Sequence, residues 1–539
     1  LFEIFQTFER LDLHNDIIVA IMMNSAIEYD WLQRGALYAP EALAVKEADD
    51  DAADGESGRT LNYAELNAAA ARAAARLRAE YGVCAGDRVA ILAENSLEHV
   101  ILFGAAQKLG FALVPLNFRL AAAELAVVLS DSAPRVIFAE EKYLAVLNAA
   151  LQANAEVSAA RTMEINKFFG DAASNNIPPS EAAAASVLAE HAKIMPDAPL
   201  LLLYTSGTTG VPKGAVYSHK MLFGNSVNTG MSWDLTANDR TLNCLPLFHT
   251  GGWNVLLTPL LHRGGATTLM KKFDADAVLR LLERERCTLF MGVPTILQML
   301  ASSPLFESAD LSAMRYAVSG GEPMPLPLIE VWQKRGIAVR QGYGMTEVGP
   351  NIFSLHHTDA ARKIGSIGRP NFYVHARLVD DNGNDVTAPD EAGELLVRGP
   401  MVTPGYWQKP DASREAFRGD WFCTGDVARR DAEGYYYIVD RKKYMYISGG
   451  ENVYPAEVER VLQAHPAVRE VAVIGVPDEK WGETGKAFVA FHGGASLSAE
   501  EVRAHCRERL AGYKIPKYVE IMEELPKNDA GKINRKILR

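Results

Sequence analysis

The sequence predicts an α/β protein, and three observations carry that prediction. At 539 residues the chain exceeds what one hydrophobic core usually supports, so at least two domains are expected. From Leu61 onward, short β-rich runs alternate with helix-length segments, the pattern of parallel sheets covered by helices. After Gly365 the texture changes to hairpin signals, and after Arg441 to a compact α+β module. The expected architecture is a large N-terminal domain of two helix-covered sheets with a small β-barrel-like subdomain, then a small α+β C-terminal domain. The boundaries fall at 24–440 and 441–539, with the β-rich part at about 365–440.

The elements follow in order. "YAELNAAAARAAARLRAEYG" is dense in strong helix formers and is ended by Gly82. "DRVAILAEN" reads as a strand, His99–Gly110 as a helix, and "FALVPLN" and "APRVIFAE" as further strands. The Ala/Asn/Ser-rich piece Leu151–Pro196 breaks the rhythm and reads as a crossing between two subdomains. Strands resume at "TLNCLPLFH", "GATTLM", "CTLFMGVP" and "MRYAVSGGEP". "HARLVDDNGNDV" and "GELLVRGP" flank turn signals and read as hairpins. The C-terminal module has helices at "PAEVERVLQAHP" and "SAEEVRAHCRERL" around a strand at "VREVAVIGVP", and Asp440–Lys443 is a charged linker before it.

Composition narrows the function. The chain is 48% hydrophobic and 23% charged with a net charge of −12, which disfavours nucleic acid as a partner because that wants a basic face. Residues Gly512–Arg539 nonetheless carry seven Lys/Arg against four Asp/Glu, a locally basic tail. Five cysteines, odd in number and without C-x-x-C spacing, fit free thiols in a reducing, cytoplasmic compartment. No apolar run reaches the ~18 residues of a membrane span, although peripheral membrane contact stays open, as does a homodimer. The N-terminal stretch lacks a basic n-region and is a poor signal peptide. Residues 1–22 receive no function.

One stretch carries chemistry on its face. In "LLLLYTSGTTGVPKGAVYSH", Leu200–His219, an apolar run anchors a loop made of hydroxyls, glycines and one cation. Glycines let backbone N–H groups approach an anion, hydroxyls add donors and Lys213 adds a point charge. The loop matches neither G-x-x-x-x-G-K-[ST] nor G-x-G-x-x-G. Taken alone it is either a polyphosphate cradle or a flexible surface loop.

Other blocks decide between them. "YTSGTTGVPKG" resembles the signature loop of the adenylate-forming superfamily, in its acyl-CoA synthetase branch. "PLFHTGG", "SGGEPMP", "GYGMTE", "GELLVRGPMVTPGYW", "WFCTGDVARRDAEGYYYIVDRKKYMYISGGENVYPAEVE" and "LPKNDAGKINRK" follow in the family's order, covering about residues 30–539. The resemblance implies an AMP-forming ligase that uses ATP, Mg²⁺ and coenzyme A, with a mobile C-terminal domain. The chemistry is coherent, since AMP transfer gives a carboxylate a leaving group, and both steps depend on screening negative charge.

The resemblance also implies roles. Thr205, Ser206, Gly207, Thr208, Thr209, Gly210 and Lys213 would hold the β- and γ-phosphates. Tyr343 would lie on adenine, Thr346 on the α-phosphate, and Glu347 on Mg²⁺ with Thr205 near the ion. Gly321, Glu322, Pro323, Gln341 and Gly342 join the nucleotide-binding set. Asp426 would accept from the ribose hydroxyls and Arg441 would add a ribose or phosphate contact. Lys532 would bridge the substrate carboxylate and the α-phosphate, and His249 joins Thr346, Glu347 and Lys532 as catalytic. Lys443 is the hinge, and Gly449 and Gly450 would flank the pantetheine channel. Tyr444 departs from the family, which has an acid there.

The acid pocket would be lined by His249, Thr250, Trp253 and Gly320, with Gly321 and Gln341 beside them. It holds no cation for a second carboxylate and no aspartate for an α-amine, with Glu322 the nearest acid. Trp253 is either an acyl-tunnel gate or a core aromatic. The expectation is an apolar monocarboxylate, a medium- or long-chain fatty acid ahead of a cinnamate-like aryl acid. The rivals are an adenylation enzyme that loads a carrier protein, a nucleotide sensor and a luciferase-like oxygenase.

Overall fold

The computed structural model describes residues 30–48, 58–153, 160–170, 181–191, 194–205, 212–321, 324–360, 362–442, 444–448, 451–479, 481–527 and 532–538. By internal contacts the chain forms two compact units: one within residues 1–375 and 398–420, the other within 376–397 and 421–539.

The first unit is built on two sheets. The six-stranded sheet runs Arg161–Glu164, Val136–Ala139, Arg88–Leu92, Ala112–Pro115, Pro199–Thr205, Lys213–Ser218. Its neighbours pair in parallel except for the last two, which form an antiparallel hairpin. The nine-stranded sheet is parallel from Ala338–Tyr343 through Tyr316–Ser319, Leu289–Gly292, Arg240–Asn243 and Ala266–Leu269 to Leu43–Glu47, with antiparallel strands at both edges. Strands such as Tyr316–Ser319 and Leu289–Gly292 are buried along their whole length, as a sheet covered on both faces requires.

Helix Leu97–Leu109 explains how the sheets share a core. All thirteen of its residues are buried, and it touches strands of both sheets. It has no solvent face to offer, and its charged Glu98 and Lys108 are paired with Arg59 and Asp30. Helix Tyr63–Tyr81, beside it, starts on an Asn62–Glu65 capping box and ends at Gly82, whose φ of +64° a side chain would strain. The alanine-rich piece from Leu151 is more than a crossing: it contributes the edge strand Arg161–Glu164 and helix Glu181–His191, which packs on the two helices just named.

The second unit pairs Ala392–Arg398, Trp421–Arg430 and Tyr436–Arg441 in one antiparallel sheet. Its α+β module packs helices Pro455–Gln463 and Ala499–Arg507 on a sheet that includes the long hairpin Val468–Asp478 and Gly482–Phe491. Division by contact therefore differs from the boundary at 440/441 read from motifs. Within the second unit, Asp440 Oδ2 accepts from the Ala456 N–H at 2.7 Å and ties the first turn of Pro455–Gln463 to the strand before it. Among the described residues no helix is long and apolar enough to cross a membrane.

Candidate active site

In the first unit, the strand Pro199–Thr205 is buried through Leu203, and Thr205 pairs with Lys213 on the return strand. Thr205 Oγ1 donates to the Lys213 carbonyl at 3.4 Å, so the hairpin closes at the root of the glycine-rich loop. Ser206, Gly207, Thr208, Thr209 and Gly210 lie outside the described residues, as do Glu322, Pro323, Lys443, Gly449 and Gly450. The Lys213 ammonium stands 5.2 Å from the ring centroid of Tyr406.

"GYGMTE" leaves the strand Ala338–Tyr343 and turns into the 3₁₀ segment Thr346–Val348. Gly344 is obligatory in that turn, because a Cβ there would meet the Pro350 carbonyl oxygen at 2.3 Å. Tyr343 is half-buried and meets Phe353 edge-on at 5.8 Å. Glu347 is buried; its Oε1 accepts from the Tyr406 hydroxyl at 3.0 Å and its backbone carbonyl from the Thr403 N–H at 2.8 Å. Among the described residues no cluster of three or more His, Cys, Asp or Glu groups could hold an ion. One buried carboxylate beside hydroxyls fits Mg²⁺, which takes one or two protein carboxylates and fills its remaining positions with phosphate oxygens and water.

The residues expected around the acid lie in the first unit as well. Thr250 Oγ1 sits 2.7 Å from the Tyr217 hydroxyl and accepts from Asn254 Nδ2 at 3.2 Å. Burial pushes the Tyr217 phenol well up, and the Glu347 charge pushes the same way. A Cβ on Gly320 would come within 3.2 Å of the Gly342 carbonyl oxygen, so two strand ends approach closely there. Gly321 has φ of +86°. Gln341 accepts from the Met324 N–H at 3.3 Å, while its buried Nε2 meets no acceptor among the described residues. His249 is the cap residue of the short helix Thr250–Asn254 and packs on Phe248. Trp253, in contrast, is fully buried, with Phe103 at 5.5 Å and His99 at 6.4 Å. It packs as a core aromatic.

In the second unit, Asp426 and Arg441 are partners across adjacent strands, and their side chains form an ion pair. Asp426 is buried, and Thr424 anchors the turn before it by donating to the Leu395 carbonyl at 2.7 Å. The two residues assigned to ribose therefore do meet. Lys532 is exposed; the Lys527–Ile533 bridge and the Asn534 N–H on the Pro526 carbonyl, at 2.7 Å, fasten the chain on both sides of its turn.

Tyr406, Thr403 and Tyr217 were not assigned a role from sequence. Only the "PGYW" of the "GELLVRGPMVTPGYW" block pointed at Tyr406.

A family model described as AMP-binding enzyme matches residues 34–407, and one described as AMP-binding enzyme C-terminal domain matches residues 457–532. The chain is 42% identical over 503 residues to a feruloyl-CoA synthase of Amycolatopsis sp, covering 93% of this chain and 96% of that one. It is 38% identical over 508 residues to a long-chain-fatty-acid–CoA ligase of Mycobacterium tuberculosis, covering 94% and 97%. The solved o-succinylbenzoate CoA synthetase of Bacillus subtilis, in complex with an acyl-adenylate intermediate, aligns with a TM-score of 0.79 at 33% identity over 95% of this chain and 98% of that chain.

Proposed function

The chain belongs to the AMP-binding enzyme family, as an AMP-forming acid–CoA ligase that uses ATP, Mg²⁺ and coenzyme A, and from that premise we propose that its acid is an apolar monocarboxylate, an aryl acid ahead of a fatty acid. The observation that carries the aryl reading is the position of Trp253. Packed against Phe103 and His99, it has the surroundings of a core aromatic, which supports placing aryl acids ahead of a long acyl chain. Neutral neighbours such as Met291, near Gly320, offer an aromatic ring apolar contact and a second carboxylate no partner. The feruloyl-CoA synthase supports the same class, and the fatty-acid ligase keeps fatty acids as the second reading.

The residues divide the work. Thr205, Lys213 and the loop between them bind the β- and γ-phosphates; Tyr343 stacks on adenine; Thr346 donates to the α-phosphate; Asp426 and Arg441 hold the ribose. Bound at Glu347, Mg²⁺ supplies charge neutralisation between phosphate oxygens. Lys532 draws the carboxylate and the α-phosphate together, a carboxylate oxygen bonds to phosphorus and pyrophosphate leaves. The thiolate sulfur of coenzyme A then bonds to the acyl carbon and AMP leaves. We place the change between steps at a rotation about Lys443, with Gly449 and Gly450 leaving room for pantetheine. Free cysteines throughout support a cytoplasmic setting.

Thioester formation over hexanoate, palmitate, cinnamate, coumarate and ferulate tests the acid. Coumarate or ferulate should give the highest kcat/KM; palmitate outrunning every aryl acid would reverse the order.

A further inference from the structure

We propose that Tyr406 is a positioning residue for the metal–phosphate end of the site, aiming the Glu347 carboxylate through its hydroxyl and spacing the Lys213 ammonium with its ring. The inference rests on the ligase reading given above. Its observations are two contacts made by one side chain: the hydroxyl lies 3.0 Å from Glu347 Oε1, and the ring centroid 5.2 Å from Lys213 Nζ.

The backbone around Tyr406 is built for that reach. Ala215 and Tyr406 form an antiparallel bridge, and Gly405 accepts from the Val216 N–H at 3.1 Å while the Trp407 N–H donates to the Gly214 carbonyl at 2.8 Å. The segment thus lies along the return strand of the phosphate hairpin like an added strand. Thr403 Oγ1 donates to the Val216 carbonyl at 2.7 Å, and the Thr403 N–H donates to the Glu347 carbonyl. Ser413 Oγ accepts from the Tyr406 N–H at 2.9 Å and closes the far side. The hairpin that carries Lys213 and the turn that carries Glu347 are therefore tied to one short segment, whose tyrosine reaches both.

The physical consequence is specific. A buried carboxylate needs donors to offset its lost hydration, and a donor on one oxygen fixes the plane in which the carboxylate is presented. Groups that orient a metal ligand from behind typically cost 10–100-fold in metal affinity when removed. A ring beneath the ammonium holds it by cation–π attraction while leaving its N–H donors to phosphate. Removing the hydroxyl should weaken the ion; removing the ring should weaken the nucleotide as well.

The test measures binding apart from turnover. Mn²⁺ binding to the enzyme–ATP complex is followed by electron paramagnetic resonance, and ATP binding in EDTA by calorimetry, for wild type, Tyr406→Phe and Tyr406→Ala. Tyr406→Phe should melt like wild type, bind ATP in EDTA unchanged and bind Mn²⁺ about 10-fold more weakly. Tyr406→Ala should lose affinity in both assays; where it fails to fold, the phenylalanine variant decides alone. Mn²⁺ affinity in Tyr406→Phe equal to wild type overturns the proposal. A wild type that binds no Mn²⁺–ATP and exchanges no pyrophosphate with any acid overturns the ligase reading beneath it, a separate and recognisable failure.

Discussion

The guanidinium of Arg535 lies over the ring of Tyr444, 4.8 Å from its centroid, and holds both carboxylate oxygens of Glu459 at 2.6 Å. Tyr444 stands where the resemblance read from the sequence implies an acid. The tyrosine presents its ring face to that guanidinium, a cation–π contact. Arg535 stands three residues beyond Lys532 and two beyond Ile533, which bridges to Lys527. Tyr444→Ala should slow adenylate formation about fivefold, the equivalent of the ~1 kcal/mol such a contact contributes. Tyr444→Phe and Tyr444→Asp should stay near wild type, the first through the ring and the second through an ion pair. Pyrophosphate exchange measures all three, and an alanine variant at full rate would show that the contact does not steady the Lys532 turn.

Lys532 itself gives a sharper test. Its ammonium acts on the adenylation step, and the small domain is expected to reorient before the thiol attacks. Lys532→Ala should cut adenylate formation by about 10²–10³-fold, the scale of losing one preorganised charge partner, and leave CoA capture of a supplied acyl-adenylate within a few-fold of wild type. Equal losses in both half-reactions would make the lysine structural.

Asp440 predicts a pH dependence. Burial raises its carboxyl to about 6 from 3.8, and the N–H groups of Ala456 and Arg441 lower it only in part. Because the folded value lies above the unfolded one, the folded state binds the extra proton between the two. The associated stability is complete below about 4 and is lost as pH rises through about 6. Asp440→Asn removes the titration, so thermal stability of the variant should fall less than that of wild type between pH 4.5 and 7. Parallel pH profiles would show that Asp440 does not titrate in this window.

How much of this was legible beforehand depends on the physical signal each element carries. Buried parallel strands such as Leu289–Gly292 are continuous apolar runs, and helix Tyr63–Tyr81 announces its end at Gly82, so both read directly. Edge strand Arg161–Glu164 has little buried surface and sits in an alanine-rich stretch, so composition hid it. Asp426 and Arg441 were named separately, and their pairing follows from a strand register that sequence spacing does not reveal. Tyr406 is 59 residues from Glu347. Its role arises from tertiary packing between two turns, for which one chain carries no periodic signal.

Trp253 is where sequence and structure part most usefully. At four residues past His249 it could gate an acyl tunnel, yet it is fully buried against Phe103 and His99 within the core that also holds Leu201 and Tyr217. Its indole N–H meets no acceptor among the described residues, so its contribution is packing. Trp253→Ala should then destabilise the protein by about 3–5 kcal/mol, the usual cost of emptying a large aromatic site. Trp253→Phe should cost less, since it keeps a ring and removes the unpaired donor. Neither change should alter the ratio of kcat/KM between hexanoate, palmitate and coumarate, once each variant is assayed well below its melting temperature. A gate predicts the reverse: modest destabilisation and a profile that moves toward longer chains as the side chain shrinks. Chain-length selectivity shifting in Trp253→Phe, where folding is least disturbed, would restore the tunnel reading and put fatty acids ahead of aryl acids.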